Sequence, residues 1–186
     1  MARSMAVAAA ALVVLTLAGC AGQSASPGAG SSGITLAQSK SPVQLLRNEA
    51  ASRLPSIIAK DVAETGDTSI ACLSAEEDPE GISRAWHSSL TLLVTNSRAA
   101  SIHVVTEDLV ASFVEQGWVA SAGEADAAAS VAPTVLTNGT SPVTIELQEL
   151  PKAEGQKAAI RITTVGPCVD TDGTGSDEVT ALESSS

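Results

Sequence analysis

Trp86-His87-Ser88-Ser89-Leu90-Thr91-Leu92-Leu93-Val94-Thr95 is the stretch whose reading decides the fold. Trp86, Leu90, Leu92 and Val94 fall on one side of an alternating pattern and His87 falls on the other, the period of a half-buried strand. Asn96-Ser97 then turns the chain, and the period changes. Over residues 101–116, Ile102, Val105, Leu109 and Phe113 share one helical face, flanked by Val110 and Val114, and Gly117 stands where a helix C-cap glycine belongs. A strand and a helix in succession, each with one apolar face, must bury those faces against each other or against further elements.

Downstream, Trp118-Val119-Ala120-Ser121 begins a second strand, and residues 123–133 are Ala-rich without a clear pattern. Asn138-Gly139 is a hairpin signal between Thr134–Thr137 and Val143-Thr144-Ile145-Glu146-Leu147, where Val143, Ile145 and Leu147 alternate with polar residues. Residues 151–157 turn again, and 158–165 is the last strand, with Ile160 and Ile162 inward. Upstream, Ser41-Pro42-Val43-Gln44 reads as a helix start, with Ser41 as N-cap and Pro42 in the first position. Leu45, Leu46, Ala50, Leu54, Ile57, Ile58 and Val62 follow near helical spacing, interrupted at Pro55 and ended by Gly66. Residues 67–85 read as a loop. The expected fold is α+β: a two-layer sandwich in which an antiparallel sheet of about four strands carries two helices on one face.

The N-terminus carries a different message. Arg3 precedes an apolar run at residues 5–18. As a helix this run spans roughly 21 Å, short of the bilayer core of about 30 Å, but it fits the apolar region of an export signal. Leu17-Ala18-Gly19-Cys20 resembles the lipobox of bacterial lipoproteins, with small residues before the cut and a thiol to form a thioether with lipid. The resemblance implies cleavage after Gly19 and a diacylglyceryl group on Cys20. Two acyl chains are what stable anchoring takes. Residues 21–33 are Gly, Ser, Ala and Pro with Gln23 and no charge, the composition of a flexible tether. The expected organisation is a signal over 1–19, a lipidated Cys and linker over 20–39, one domain over 40–169, and a disordered acidic tail over 170–186.

Composition narrows the function classes. The chain has 10 basic and 21 acidic residues. Losing Arg3 with the signal leaves nine basic residues, a net charge of −12, which repels nucleic acid and anionic headgroups alike. Membrane contact is therefore expected from the N-terminal lipid alone. Phe113, Trp86 and Trp118 are the only aromatic residues, too few for a broad stacking platform. With Cys20 spent on lipid, Cys72 and Cys168 form an even pair in an oxidising compartment, and a disulfide between them is expected, with two buried thiols as the alternative. Such a bond closes a long loop and is worth up to about 4–5 kcal/mol on chain-entropy grounds.

Several of these features occur together in a known group. The lipobox Leu17–Cys20, Cys72, Trp86 opening a strand, the helix ending Gly117-Trp118, and Gly166-Pro167-Cys168-Val169 after the last strand resemble the small, Ala-rich cell-envelope lipoproteins of actinobacteria, over most of residues 40–169. The resemblance implies a lipid-anchored location on the outer face of the cell membrane and a fold, and no activity.

Asp170, Asp172 and Gly175 match positions 1, 3 and 6 of a calcium loop, but Thr174 stands at position 5 and Ala181 where the bidentate Glu belongs, so a solvated acidic tail is the better reading. Glu76, Glu77, Asp78 and Glu80 read as an exposed acidic loop. His87 and His103 are the only histidines, and no His/Cys/Asp cluster has zinc spacing. No Gly-x-Ser-x-Gly elbow, phosphate-cradling loop or Ser-x-x-Lys signature is present. No metal, cofactor or catalytic residue is expected. The leading expectation is a monomeric, tethered, non-catalytic binding or structural domain that meets an envelope protein. The alternatives are a carrier of a lipid or glycolipid between sheet and helices, and an envelope hydrolase using His87 or His103 as base. The anchor is directly testable: Cys20→Ala leaves the protein unprocessed or releases it from the membrane fraction, read by mass and by fractionation of the native host.

Overall fold

The computed structural model describes residues 33–94, 102–124, 131–150 and 157–185. The signal, the lipobox with Cys20, the Asn96-Ser97 turn and all but Lys157 of the 151–157 turn lie outside these residues. In chain order the elements are α1 (Leu36–Arg53), β1 (Ala59–Ala71), β2 (Ser83–Val94), α2 (Ile102–Val114), β3 (Val119–Ala122), β4 (Thr134–Asn138), β5 (Ser141–Leu150), β6 (Ala159–Val165), β7 (Val169–Asp170) and α3 (Asp177–Ser184). The class is α+β with an antiparallel sheet, as the patterns imply. Among the described residues the sheet has seven strands rather than four, and it does not close into a barrel.

The strand order is β1-β2-β6-β5-β4-β3, with β7 pairing β2 beyond the end of β6. Trp86, Leu90, Leu92 and Val94 do share one buried face of β2. Leu90, Leu92 and Val94 meet Ile160 and Ile162 of β6, Ile145 and Leu147 of β5 and Leu136 of β4 beneath Ala50 and Leu54 of α1 and Val105, Leu109 and Phe113 of α2, while Trp86 packs with Leu36, Val43, Val143 and Val169. At about 25 cal/mol per Å2 of apolar surface removed from water, this one-sided burial is the main stabilising term.

The largest departure from the sequence reading is at α1 and β1. The helix starts two turns earlier than Ser41: Thr35 is the N-cap, its Oγ1 accepting from Gln38 N at 3.2 Å while Gln38 Oε1 accepts from Thr35 N at 2.9 Å. Pro42 lies inside the helix on its exposed side. The buried face then runs Leu36, Ser39, Val43, Leu46, Ala50 and Leu54, in steps of three or four, which leaves Leu45 65 % exposed. Leu54 precedes Pro55 and is extended, as a residue before proline prefers, and it ends the helix. Ile57 and Val62 are therefore exposed rather than helical core, and Gly66 lies within a strand. β1 is an edge strand with polar residues on both faces and two register shifts, so it lacks the alternation that identifies β2.

The second helix ends as expected, and the geometry says why. Gly117 adopts φ 87°, Trp118 N donates to Phe113 O at 3.2 Å, and Gly117 N donates to Val114 O at 2.9 Å. This is a Schellman closure, and its usual apolar contact is the edge-on packing of Trp118 on Phe113, with ring centroids 5.5 Å apart. The β4–β5 hairpin turns at Gly139-Thr140, where Asn138 Oδ1 accepts from Thr140 N and Oγ1. Across the Ala-rich stretch, Gly123 N donates to Pro133 O at 2.8 Å, and residues 125–130 lie outside the described residues.

Cys72 and Cys168 form a disulfide, with Cα atoms 6.1 Å apart and 96 positions of sequence between them. Ala71 and Val169 both pair with Arg84, so the bond joins the two strands that flank β2. The segment expected as a disordered tail instead carries β7 and α3. Ser176 caps α3, Asp177 and Glu178 stand in its first turn where the helix dipole favours negative charge, and Val179 is buried against Leu36, Val43 and Trp86.

The seat of α1 on the sheet is close. A Cβ on Gly166 would collide with Ser39 Oγ and meet Val43 Cγ2 at 3.0 Å. Gly166→Ala is expected to lower stability by about 1–3 kcal/mol through overpacking, measured as a lower denaturant midpoint with an unchanged slope.

Candidate functional site

Because α1 and α2 cover one face of the sheet, the other face is left without a described helix over it. Its residues are set by register. His87 lies beside Val165, Ser89 beside Thr163 and Thr91 beside Arg161; Thr163 is in turn beside Glu146. Glu64, His87, Ser89, Glu146, Arg161 and Thr163 line a shallow depression of about 520 Å3 across β1, β2, β6 and β5. The row through its centre is Gly66, Ser89, Thr163 and Glu146. Arg161 Nε reaches Thr91 Oγ1 at 3.5 Å.

His87 sits on the face opposite Trp86, as the alternation requires. It is half-buried, and burial lowers its pKa against the opposing pull of Glu146 and Asp67. Its imidazole is therefore neutral near pH 7. Its Nδ1 is buried without a hydrogen-bond partner among the described residues. A histidine base is normally oriented by an acceptor on its second nitrogen, and among the described residues none reaches His87 Nδ1. Among the described residues no group of three or more His, Cys, Asp or Glu is arranged to hold a metal ion.

His103 is elsewhere, on the exposed first turn of α2. Its Nδ1 lies 3.0 Å from Glu149 Oε1 and its Nε2 3.2 Å from Glu107 Oε1, so the ring links α2 to β5. The hydrogen bond with Glu149, then the charges of Glu107 and Glu149, raise its pKa above 6.5.

The acidic stretches have structural work. Asp78 Oδ1 and Oδ2 accept from Ile82 N at 3.0 Å and Ser83 N at 2.7 Å, and those two bonds lower its pKa. Glu77 Oε2 accepts from Ser74 N and Oγ. Together with Asp172 to Glu178, Glu80 borders a shallow hollow, where Thr174 N donates to Glu80 O at 3.1 Å. That stretch is a turn leading into α3.

Two buried polar clusters escaped the sequence reading. Arg47 Nη1 meets Asp67 Oδ2 at 2.9 Å and donates to Ser88 Oγ at 2.8 Å, while Ser88 Oγ donates to Asp67 Oδ1 at 2.6 Å. Burial works to raise the Asp67 pKa, and the hydrogen bonds of Ser88, Gln44 and Arg47 outweigh it, leaving the carboxyl lowered. In the second cluster, Arg84, 6 % exposed, donates from Nε to Ser69 Oγ at 2.8 Å and from Nη2 to Ser69 O at 2.9 Å. Ser69 Oγ donates onward to Glu183 Oε1 at 2.7 Å. An arginine two positions before a strand tryptophan is the one sequence sign of this cluster.

The space between the helices bears on ligand carriage. The cleft bounded by Arg53, Leu54, Pro55 and Ile58 on one side and Val105 and Leu109 on the other holds about 130 Å3. Ligand pockets usually run from about 300 to 1,000 Å3.

Comparison of the chain with protein-family models, curated proteins and solved structures finds no match.

The His103 contacts carry a pH dependence of defined sign. A histidine whose folded pKa lies above 6.5 contributes stability in full below 6.5, and that contribution is lost as pH rises through the folded value. The stability difference between the parent chain and His103→Asn is therefore expected to shrink as pH rises from about 6 to about 8. Chemical denaturation at each pH reads it, and a constant difference counts against the contact. His87, with its lowered pKa, acts below 6.5 with the opposite sign and is common to both chains.

Proposed function

We propose that the protein is a lipid-anchored cell-envelope lipoprotein whose domain is a non-catalytic binding module, and that the uncovered sheet face around His87, Glu146 and Arg161 is its binding surface. The observation that carries this reading is the one-sidedness of the sheet: the apolar face is sealed by α1 and α2, and the opposite face presents Glu64, His87, Glu146 and Arg161 beside Ile70 and Val165 on paired strands. A face of this kind, mixing charged and apolar side chains on paired strands, suits a protein partner more than an acyl chain.

The anchoring half of the reading rests on Leu17-Ala18-Gly19-Cys20 and the apolar run before it. The Cys72–Cys168 disulfide supports an oxidising compartment. Among the described residues no helix is long and apolar enough to cross a membrane, and a diacylglyceryl group needs none. The net charge of −12 after signal removal favours a partner with basic groups.

Site-specific photo-cross-linking in the native envelope tests the surface. A photoreactive residue at position 146 or 161 is expected to give a discrete higher-mass adduct, and one at 108 or 115 on the outer side of α2 is not. Adducts from the α2 positions with none from the sheet face would overturn the assignment.

A further inference from the structure

The C-terminal helix is held by a carboxylate site that the sheet builds and the helix only visits. Glu183 Oε1 accepts three hydrogen bonds: from Ser69 N at 3.0 Å, Ser69 Oγ at 2.7 Å and Thr68 Oγ1 at 3.0 Å. Ser69 Oγ is itself held by Arg84 Nε, and the third donor nitrogen of Arg84, Nη1, reaches Thr174 Oγ1 at 2.8 Å. Ser69, Thr68 and Arg84 are fixed by strand pairing, Ser69 opposite Trp86, Thr68 opposite His87 and Arg84 opposite Ala71, next to the disulfide.

Three features separate the site from its occupant. The first is charge. Arg84 is buried, and among the described residues it makes no ion pair. Its hydrogen bonds all go to neutral oxygens, so its positive charge is balanced only through Ser69 and at longer range. A buried cation of this kind favours a carboxylate next to it. The second is the position of Glu183 in α3. A negative side chain in the last turn opposes the helix dipole, and α3 has no basic residue in that turn. The helix alone therefore disfavours the carboxylate that the site selects. The third is the weak hold on the rest of α3. It has eight residues, too few to be stable alone, and one fully buried side chain, Val179. Val179 and Glu183 are four residues apart and so lie on one helical face. Lys40 Nζ, 4.7 Å above the Trp86 ring, closes the helix end by donating to Leu182 O at 2.8 Å.

We propose that the Ser69–Thr68–Arg84 site is a receptor for a glutamate side chain on a helical segment of a partner protein, with an apolar residue four positions earlier, and that α3 is an internal stand-in for that segment. Displacement of α3 opens Trp86, Val43 and Leu36 to the incoming helix, which takes over the contacts of Val179 and Glu183. The hydrogen bonds from Ser69 are also the main cause of the lowered pKa of Glu183, so the carboxylate is charged at neutral pH, as the site requires. This site lies at the outer edge of β1, with Ser69 on the Trp86 side, and stands or falls separately from the open-face reading.

The test uses the whole mature chain. Val179→Asp releases α3 without touching a donor of the site. The probe is a fluorescein-labelled synthetic peptide of residues 174–186, read by anisotropy. The expected result is binding at least about ten-fold tighter to the Val179→Asp chain than to the parent chain, whose own α3 competes. A peptide carrying Glu183→Gln is expected to bind at least about ten-fold more weakly, and Ser69→Ala in the Val179→Asp chain to weaken the unaltered peptide to a similar degree. Equal binding of the two peptides overturns carboxylate recognition. No peptide binding to a Val179→Asp chain that keeps its far-UV circular dichroism overturns the site. Loss of the folded spectrum in Val179→Asp also overturns the proposal, because a vacated receptor must leave its sheet standing.

Discussion

β2 is the constraint on which the rest depends. It is paired along its length by β1 on one side and by β6 and then β7 on the other. Its alternate residues, Trp86, Leu90, Leu92 and Val94, must leave water together. Both helices answer that requirement on the same side, so the sheet ends with a dry face and a wet one. The wet face is thereby made of the residues that alternate with the core: His87 and Ser89 on β2, Thr163 and Arg161 on β6, Glu146 on β5.

Polar interactions decide how the helical layer sits on that core. A helix with the apolar stripe of α1 has no strong preference for one rotation over a neighbouring one, since Leu45 and Leu46 are both apolar. Arg47 reaching Asp67 and Ser88, and Thr164 Oγ1 donating to Val43 O at 2.9 Å, select the register in which Leu46 faces inward. At the other end Arg53 lies 3.8 Å over the Phe113 ring and donates to Ser112 O, joining the ends of α1 and α2. These contacts contribute specificity more than net stability, because the charges they use are taken out of water.

The two proposed surfaces are consequences of the same layout. Among the described residues no helix lies over the face that carries His87, Glu146 and Arg161, whereas at the edge where β1 and β2 run past β6, Ser69 and Arg84 meet the C-terminal helix. Just past the Asp170–Gly175 stretch, Asp177 and Glu178 serve the N-terminus of that helix. Acidic side chains of this chain thus serve turn geometry at Asp78, a helix start at Asp177 and Glu178, and the half-buried contact of Glu183 with Ser69.

Much was legible in the sequence. The alternation of residues 86–94 determined β2 and its inward face, the 3–4 spacing ending at Gly117 determined α2 and its cap, and the cysteine count pointed to the Cys72–Cys168 bond. Each is a local pattern, or a count, that needs no knowledge of neighbours. β1 was not legible, because an edge strand with polar residues on both faces carries no apolar period and exists only by pairing with β2. Nor was α3, whose eight residues hold only where Trp86, Val43 and Leu36 receive Val179 and where Ser69 receives Glu183. Sequence by itself determined the elements that bury a face of their own; tertiary structure decided the elements that borrow stability from another strand, and with them both candidate surfaces.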